Sequence, residues 1–415
     1  MSEHASGPTT SRLAQLEELS IPLIVGVIAA LVWANAAPHT YHHFVHAPIF
    51  GLGAHFNAHF LINDIFMALF FGIAAKEITE ACLPGGALNP PRKAVNPLLA
   101  TLGGVLGPAA VYLAFVALSG DKSIASGWGI PTATDIALAW LVARVAFGKD
   151  HPAVSFLLLL AVADDGIGLA IIAIFYPDPR HPVQPAFLAL VALAIGVAWA
   201  LRRAGVKSFW PYVLLAGGSS WAGLYLAHLH PALALVPIVP MMPNAKRDEG
   251  LFAEMSSGKT YSDTLNRFEH AFKRPVDLGL LAFGLANAGV QLSTVGNASY
   301  AVLLALLIGK TGGITLMSLA AQRFGFPLPQ GMDRRTLVIA ALTAALGLTV
   351  ALFVAGVAFT DVALQGAAKM GALASAGAAP LVLLLARVFD VKGARAPAHQ
   401  PLSVVGRKRR PSIAG

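Results

Sequence analysis

The sequence predicts an all-α polytopic membrane protein, and its composition is the first reason. Of 415 residues, 56% are hydrophobic and only 12% are charged, and the mean hydropathy is +0.67, whereas a soluble domain carries about 25% charged residues. The second reason is the recurrence of apolar runs, since about 20 apolar residues cross the hydrocarbon core as a helix. The third is a small set of charged residues in the middle of such runs, which is costly in lipid and indicates a transport pathway.

Apolar runs divide most of the chain. They lie at about 20–37, 61–78, 95–118, 125–144, 152–176, 185–201, 208–227, 229–242, 275–292, 298–321, 335–359 and 367–389. We therefore expect twelve transmembrane helices over residues 20–389, with the eighth short and rich in proline. A cytoplasmic N-terminal segment is expected at 1–19, a periplasmic loop at 38–60 and a basic cytoplasmic tail at 390–415.

The distribution of lysine and arginine predicts the orientation. With the N-terminus inside, 25 of the 29 lysines and arginines fall in inner segments or at inner helix ends. Only Lys122, Arg180 and Lys369 fall outside, and Lys310 is left within the membrane. The positive-inside rule therefore assigns both termini to the cytoplasm. The net charge of +8 is scattered over short segments instead of forming one basic stripe with aromatic residues, which argues against nucleic-acid binding.

The loop at 38–60 is rich in histidine. It contains six of the thirteen histidines, which are His39, His42, His43, His46, His55 and His59. Because histidine titrates near neutral pH, one interpretation is a pH-sensing or metal-binding loop. A plain polar loop is favoured, since no acidic or cysteine partner accompanies the histidines and their spacing fits no closed metal site. Gly51 and Gly53, in the segment PIFGLGAHF, predict a short hairpin.

Few strong charges fall inside the apolar runs. Asp164 and Asp165 interrupt the fifth run near its middle, Asp135 lies in the fourth run and Lys310 in the tenth, while Asp64 lies near the start of the second. Counted at about 1.5 Å per residue from the ends of the runs, Asp135, the aspartate pair and Lys310 all reach a depth near the bilayer midplane. These four residues are therefore predicted to form one ion- or proton-binding site.

Two of the runs carry signals for a broken helix. Pro131, in the fourth run, removes a backbone donor and clashes with the preceding turn, and Thr132 and Thr134 can bond the freed groups. Non-helical backbone at membrane depth is tolerated where it is buried or lines a cavity, as in the discontinuous helices of secondary transporters. Gly347, in the eleventh run, is a weaker counterpart. Since runs three to five and ten to twelve start on opposite sides of the membrane, we expect inverted-topology repeats.

Several motifs resemble those of one known family. The chain resembles the bacterial NhaA sodium/proton antiporters in PTATDIALAW, LLLLAVADDGIGLAIIAIFYPD, LLAFGLANAGVQL and ALLIGKTGGI, in that order, and in INDIFMALFF after the first loop. The similarity runs from about Ser20 to Phe389. It implies twelve helices with inverted repeats, discontinuous helices that cross at mid-membrane, a location in the bacterial inner (plasma) membrane, and a homodimer braced by a hairpin in the first outer loop.

The resemblance also implies roles for individual residues. Asp165 is expected to be the principal carrier of Na⁺ and the proton, and Asp164 to share the binding site and to pair with Lys310, which compensates charge. Asp135 and Thr134 are expected where the broken helices cross. The transported species are then Na⁺, Li⁺ and H⁺, exchange is expected to be electrogenic, and no cofactor is predicted.

The chain departs from the family pattern at a few positions. Ala74 and Ile78 stand where acids are common in the segment GIAAKEITE, which in the family is associated with pH regulation. Gly166 follows the aspartate pair where a bulkier residue is usual, and Ala345 replaces a glycine at the second helix break. We therefore expect the transport chemistry to be kept and its tuning by pH to differ.

Two other classes of function can be weighed. An intramembrane aspartyl protease needs two membrane aspartates face to face, whereas neighbours on one helix point about 100° apart. Asp135 and Asp165 could meet, but no serine, histidine or metal set supports an enzyme. The single cysteine, Cys82, excludes an internal disulfide and a cysteine-rich redox site. A sodium-coupled symporter of an organic solute, which would use the same broken-helix scaffold, is the alternative. The antiporter is favoured because a buried carboxylate can hold a proton or surrender it to a small hard cation.

Overall fold

The regular structure of the protein is helical. The computed structural model describes residues 21–49, 56–86, 88–89, 91–149, 151–178, 181–244 and 263–391, and it contains no β-strand within those ranges. The expected N-terminal segment at 1–19, most of the basic tail at 390–415 and the centre of the loop after the eighth run lie outside the described residues.

The helices follow the predicted runs closely. In chain order they are α1 (Ile21–Ala36), α2 (Pro38–His46), α3 (Ala58–Cys82), α4 (Pro91–Ser119), α5 (Ile136–Phe147), α6 (Pro152–Phe175), α7 (Pro185–Arg203), α8 (Gly218–Leu226), α9 (Thr264–Asn287), α10 (Asn297–Arg323), α11 (Arg334–Ala344), α12 (Thr349–Ala358) and α13 (Val362–Val388). A 3₁₀ helix, Lys122–Thr132, precedes α5. Three π-helical turns, Leu61–Phe66, Tyr212–Gly217 and Ala305–Lys310, lie in α3, before α8 and in α10.

The polytopic membrane fold is confirmed, whereas the expected number of twelve membrane-spanning helices is not. Within the described residues, six helices are each long and apolar enough to cross a membrane, and counting each of two bent pairs as one span raises the number to eight. The α1 helix is apolar over only 16 residues. The predicted count of twelve is therefore not confirmed.

The eighth predicted helix is wrong. Residues 229–242 form turns with two short 3₁₀ segments, Pro231–Leu233 and Val239–Met241, instead of one helix. The reason is the prolines in this run, because each removes a backbone donor and clashes with the preceding helical turn. The segment is nevertheless well packed, since Ile238 and Val239 are fully buried.

Both predicted helix breaks are present, and they meet. The 3₁₀ helix Lys122–Thr132 and α5 are bent by 57°, and α11 and α12 by 50°. The N–H of Asp135 donates to the carbonyl of Leu346 at 2.8 Å, and the hydroxyl of Thr134 donates to the carbonyl of Ala344 at 2.9 Å. Each break thus supplies hydrogen-bond partners to the other, which satisfies backbone groups that lipid cannot.

The loop predicted at 38–60 is partly helical. The α2 helix occupies Pro38–His46, and an isolated antiparallel bridge pairs Pro48 with Asn57, where the N–H of Ile49 donates to the carbonyl of Phe56 at 2.7 Å. This bridge lies where the hairpin is predicted. The turn itself, at 50–55, is outside the described residues.

Lys369 is buried within a helix, whereas its expected place was at an outer helix end. The α13 helix begins at Val362, five residues before the predicted start at 367, so Lys369 lies about two turns inside it. Its side chain is only 9% exposed. The predicted run begins two residues after Gln365, which interrupts the hydrophobic pattern, and it already contains Lys369.

The helices α4 and α10 pack against each other at a crossing formed by glycines. Gly103 and Gly107 on α4 lie against Gly313 and Gly309 on α10, so closely that a Cβ atom at any of the four would overlap backbone atoms of the other helix. Small residues spaced four apart allow such close approach of helix backbones in membranes. The crossing lies next to Lys310, whose Cε would be 3.8 Å from a Cβ on Gly104.

Gly313→Ala is expected to lower the free energy of unfolding by about 1–3 kcal/mol, because the added methyl group must displace the Gly103 backbone. The neighbouring Gly312→Ala is the matched control: a Cβ there meets nothing within 4 Å, and replacing glycine in a helix favours folding by about 0.5–1 kcal/mol. Thermal unfolding of the purified variants in detergent checks this. Equal melting temperatures for the two variants would contradict the described crossing.

Candidate ion-binding site

The adjacent carboxylates of Asp164 and Asp165 lie in the middle of α6 and are buried. Asp164 is 0% exposed and Asp165 is 9% exposed. Since neighbours on a helix point about 100° apart, the two side chains face different surroundings. One of them can therefore be paired while the other is open.

Lys310 is the partner of the first carboxylate. Its Nζ donates to Oδ2 of Asp164 at 2.8 Å and to the carbonyl oxygen of Thr132 at 2.5 Å, and the lysine is 0% exposed. Thr132 is the last residue of the 3₁₀ helix, so its carbonyl has no following helical turn to pair with. The broken span thus helps to stabilise a buried ammonium group. Lys310 ends the π-helical turn of α10, and such turns are frequent at functional sites.

Each carboxylate of the pair has a buried oxygen that accepts no hydrogen bond from the described residues. Oδ1 of Asp164 and Oδ1 of Asp165 are buried, and neither has a hydrogen-bond partner among the described residues. A buried polar atom without a partner carries a free-energy penalty. Carboxylate oxygens are hard ligands suited to small hard cations, and either oxygen can also accept a proton. The pair therefore offers buried oxygens to a cation or to protons.

Asp135 caps two helices at once. Its Oδ1 accepts from the N–H of Leu138 at 3.0 Å, at the start of α5, and its Oδ2 accepts from the N–H and the hydroxyl of Thr349 at 3.2 and 2.8 Å, at the start of α12. Helix N-termini carry partial positive charge. The Asp135 carboxylate, 2% exposed, therefore compensates the N-termini of α5 and α12, the two helical segments that begin at the crossing.

The structure brings most of the predicted site residues together. Lys310 contacts Asp164, and Thr134 and Asp135 lie at the crossing. Pro131 lies within the 3₁₀ helix, one residue before its end, so the break follows the proline. The last predicted position, Gly347, lies in the second break.

The second break has a partner that the sequence did not indicate. The hydroxyl of Ser375, in α13, accepts from the N–H of Gly347 at 3.2 Å, while it donates to the carbonyl of Ala372 in its own helix at 2.6 Å. Thr349, two residues after Gly347, supplies the hydroxyl that donates to Asp135 at 2.8 Å. A serine or threonine hydroxyl in an apolar helix gives no signal that separates these roles from a local bond to its own helix.

Asp64 belongs to a different region. Its backbone carbonyl accepts from Nε1 of Trp221 at 2.8 Å, in the π-helical turn of α3, and the neighbouring Asn63 accepts from Asn287 at 3.0 Å. These contacts tie α3 to α8 and α9. No contact joins Asp64 to the carboxylate pair in the described residues.

A separate ionic cluster joins α3 to α9. Lys76, 1% exposed, lies 2.6 Å from Glu80 and 3.8 Å from Glu77, and it also contacts Glu269 of α9. Lys273 lies 3.4 Å from Glu269. Glu269 thus supplies, from another helix, an acid beside the segment in which the chain departs from the family pattern. The expected difference in pH regulation stays a prediction.

Comparison with known proteins identifies the family. Residues 12–386 match the model of the family described as Na⁺/H⁺ antiporter 1. The chain belongs to this family. The Na⁺/H⁺ antiporter NhaA of Geobacter metallireducens is 59% identical over 91% of this chain and 97% of its own length. The protein of the same name from Desulfitobacterium hafniense (strain DSM 10664 / DCB-2) is 60% identical over 91% of this chain and 96% of its own length.

Among solved structures, this chain is similar to a sodium/proton antiporter from Methanocaldococcus jannaschii. That match covers 92% of this chain and 100% of the other, at 14% identity and a TM-score of 0.47. The likeness is too distant to add to the family assignment, which rests on the sequence matches.

Asp135→Ala is expected to lower the free energy of unfolding by more than the roughly 0.5–2 kcal/mol of a single lost N-cap, because it uncaps two helices. It should also shift the apparent affinity for sodium, since the uncapped helix ends lie beside the site. Asp333→Ala is the control, because Asp333 caps α11 alone, through the N–H of Thr336 at 2.8 Å. If both variants melted at the same temperature, Asp135 would not be a double cap.

Lys310→Ala is expected to lower the free energy of unfolding by about 3–5 kcal/mol, because it leaves the Asp164 carboxylate buried without its partner. The double variant Lys310→Ala with Asp164→Asn should recover part of that loss, since no unpaired charge remains. Melting curves of the single and double variants measure the coupling. A double variant that is no more stable than Lys310→Ala would exclude the pairing.

Proposed function

We propose that the protein exchanges cytoplasmic Na⁺, and also Li⁺, for external protons through Asp165 and Asp164. The observation that carries this proposal is the pair of adjacent buried carboxylates, each with one oxygen that has no hydrogen-bond partner among the described residues. The name Na⁺/H⁺ antiporter, borne by the relatives with about 60% identity, supports it. A sodium-coupled symporter of an organic solute finds no support in those names.

Competition for one group is the chemical basis of the exchange. Burial disfavours a bare carboxylate, so Asp165 is neutralised either by a proton or by Na⁺, which prefers oxygen ligands. The two cannot occupy the same oxygen at once. If reorientation of the charged, unoccupied site is too costly, each arrival of one species requires the departure of the other, and alternating access then gives obligatory exchange.

Asp164 and Lys310 supply the second part of the site. When Na⁺ approaches Asp164, it competes with the ammonium group that is 2.8 Å from the same carboxylate. Release of a proton from Lys310 would relieve the repulsion between ammonium and cation. One Na⁺ would then displace two protons, one from Lys310 and one from Asp165, so that each cycle would move one net charge. We therefore propose that exchange is electrogenic, with Lys310 as the charge-compensating group.

The crossing of the broken helices supports the site. Asp135 neutralises the N-termini of α5 and α12, which would otherwise place partial positive charge beside the cation. The hydroxyl of Thr134 donates to the carbonyl of Ala344 and so holds the C-terminal end of α11 in place. We propose that these residues, with the breaks after Pro131 and at Gly347, hold the carboxylates in place without being carriers themselves.

The proposal includes the cellular setting. We propose a location in the bacterial inner membrane, which the family assignment supports, with both termini in the cytoplasm, which the lysine and arginine distribution supports. Membrane lipid and a second copy of the chain are the expected partners. The transported ions are substrates, and the mechanism uses no cofactor.

Asp165→Asn is expected to abolish exchange in a folded protein, because the amide has the same shape but cannot bind and release a proton. The measurement is the dissipation of a pH gradient in proteoliposomes that contain a fluorescent pH dye, after addition of Na⁺, Li⁺ or K⁺. Asp164→Asn should impair exchange less, mainly through cation affinity.

Asn63→Ala serves as the control for that experiment, because Asn63 hydrogen-bonds to Asn287 of α9, and it should retain sodium-dependent exchange. The assignment of the carrier fails if Asp165→Asn dissipates the gradient at the wild-type rate. Sodium-driven uptake of an organic solute, with no sodium-dependent proton movement, would favour the symporter instead.

A further inference from the structure

A tyrosine hydroxyl is built into the outer half of the broken fourth span. Oη of Tyr176 accepts from the N–H of Gly129 at 2.8 Å and donates to the carbonyl of Ser126 at 2.8 Å. In a 3₁₀ helix the N–H of one residue bonds to the carbonyl three residues earlier. Because Gly129 and Ser126 are related in that way, the Tyr176 hydroxyl bridges two groups that would otherwise bond to each other.

The contact is tightly packed. Tyr176 is 4% exposed, and a Cβ on Gly129 would lie only 2.6 Å from its hydroxyl oxygen and 2.8 Å from its ring. Glycine at this position therefore permits the approach of the ring. Trp128 covers the ring at a centroid distance of 6.4 Å.

A short chain of bonds leads from this tyrosine to the ion site. The hydroxyl of Thr132 donates to the carbonyl of Gly129 at 2.7 Å, and the carbonyl of Thr132 accepts from Lys310, which in turn pairs with Asp164. Tyr176 itself directly follows α6, the helix that carries Asp164. The tyrosine therefore connects the carboxylate helix to the segment that presents the Thr132 carbonyl.

We propose that Tyr176 is a positioning residue for the ion site, whose hydroxyl sets the place of the Thr132 carbonyl and so the balance between Lys310 and Na⁺ at Asp164. This rests on the proposed exchange function. Without the hydroxyl, Ser126 and Gly129 bond to each other, the 3₁₀ helix tightens, and the Thr132 carbonyl shifts from Lys310. Tyr176 touches neither the carboxylates nor a transported ion.

Tyr176→Phe tests the proposal, because it keeps the ring and removes only the hydroxyl. The apparent Na⁺ affinity should change by roughly 3- to 10-fold, the range expected for one lost buried hydrogen bond, while maximal exchange at saturating Na⁺ stays near that of the parent protein. Equilibrium binding of radioactive ²²Na⁺ to the purified protein provides a readout that does not depend on transport.

Tyr112→Phe is the matched control. Tyr112 is fully buried and donates to the carbonyl of Ile124 at 2.8 Å on the same 3₁₀ helix, but Ile124 lies further from Thr132 and outside the chain of bonds to Lys310. Both variants should lose comparable thermal stability, and only Tyr176→Phe should change the affinity. Gly129→Ala, which displaces the ring by a different route, should reproduce the affinity change.

The outcomes separate the two proposals. Equal affinities in Tyr176→Phe and Tyr112→Phe would overturn the positioning role, whether both match the parent or both shift. If affinity stays unchanged in Tyr176→Phe while Asp165→Asn is inactive, the positioning role fails and the proposed exchange stands. If Asp165→Asn exchanges normally, the proposed carrier fails, and the ²²Na⁺ binding of Tyr176→Phe still decides whether the tyrosine influences a cation site.

Discussion

The need to satisfy backbone groups in a medium without water shapes the centre of this protein. Two helices are interrupted at the depth of the site, which lipid would not tolerate in isolation. Each interruption is stabilised by the other, through Asp135 with Leu346, Thr134 with Ala344, and the Asp135 carboxylate with Thr349. The non-helical backbone of each break therefore depends on the other break, and neither interruption would persist without its counterpart.

That arrangement also distributes the charges of the site. The Asp135 carboxylate faces two helix N-termini, and Asp164 faces the Lys310 ammonium, which is also held by a carbonyl freed at the break. Asp165 has no comparable compensation among the described residues. The geometry thus separates carboxylates whose charge is balanced by the fold from one that lacks such a partner, and the proposed exchange makes use of this asymmetry.

Much of this could be predicted from the sequence, because lipid imposes strict rules on composition. Charged residues in apolar runs identified Asp135, Asp164, Asp165 and Lys310, and proline indicated the first break. Contacts between distant segments could not be predicted, since the partnership of Ser375 with Gly347 has no local pattern. The proline-rich eighth run was misread because hydropathy measures apolar length and not helical geometry, and the burial of Lys369 could not be predicted because hydropathy does not show which side chains the fold covers.

The glycine crossing of α4 and α10 has a mechanical consequence. Contacts between side chains can adjust by rotation about χ angles, whereas those of Gly103 and Gly107 with α10 are made by backbone atoms that have no such freedom. Because Lys310 belongs to α10, its position along the axis of α4 is therefore fixed. A conformational change that exposed the ion site to the opposite side of the membrane would have to move α4 and α10 together as one rigid body. The helices that move relative to one another during the transport cycle would then meet at an interface elsewhere in the bundle.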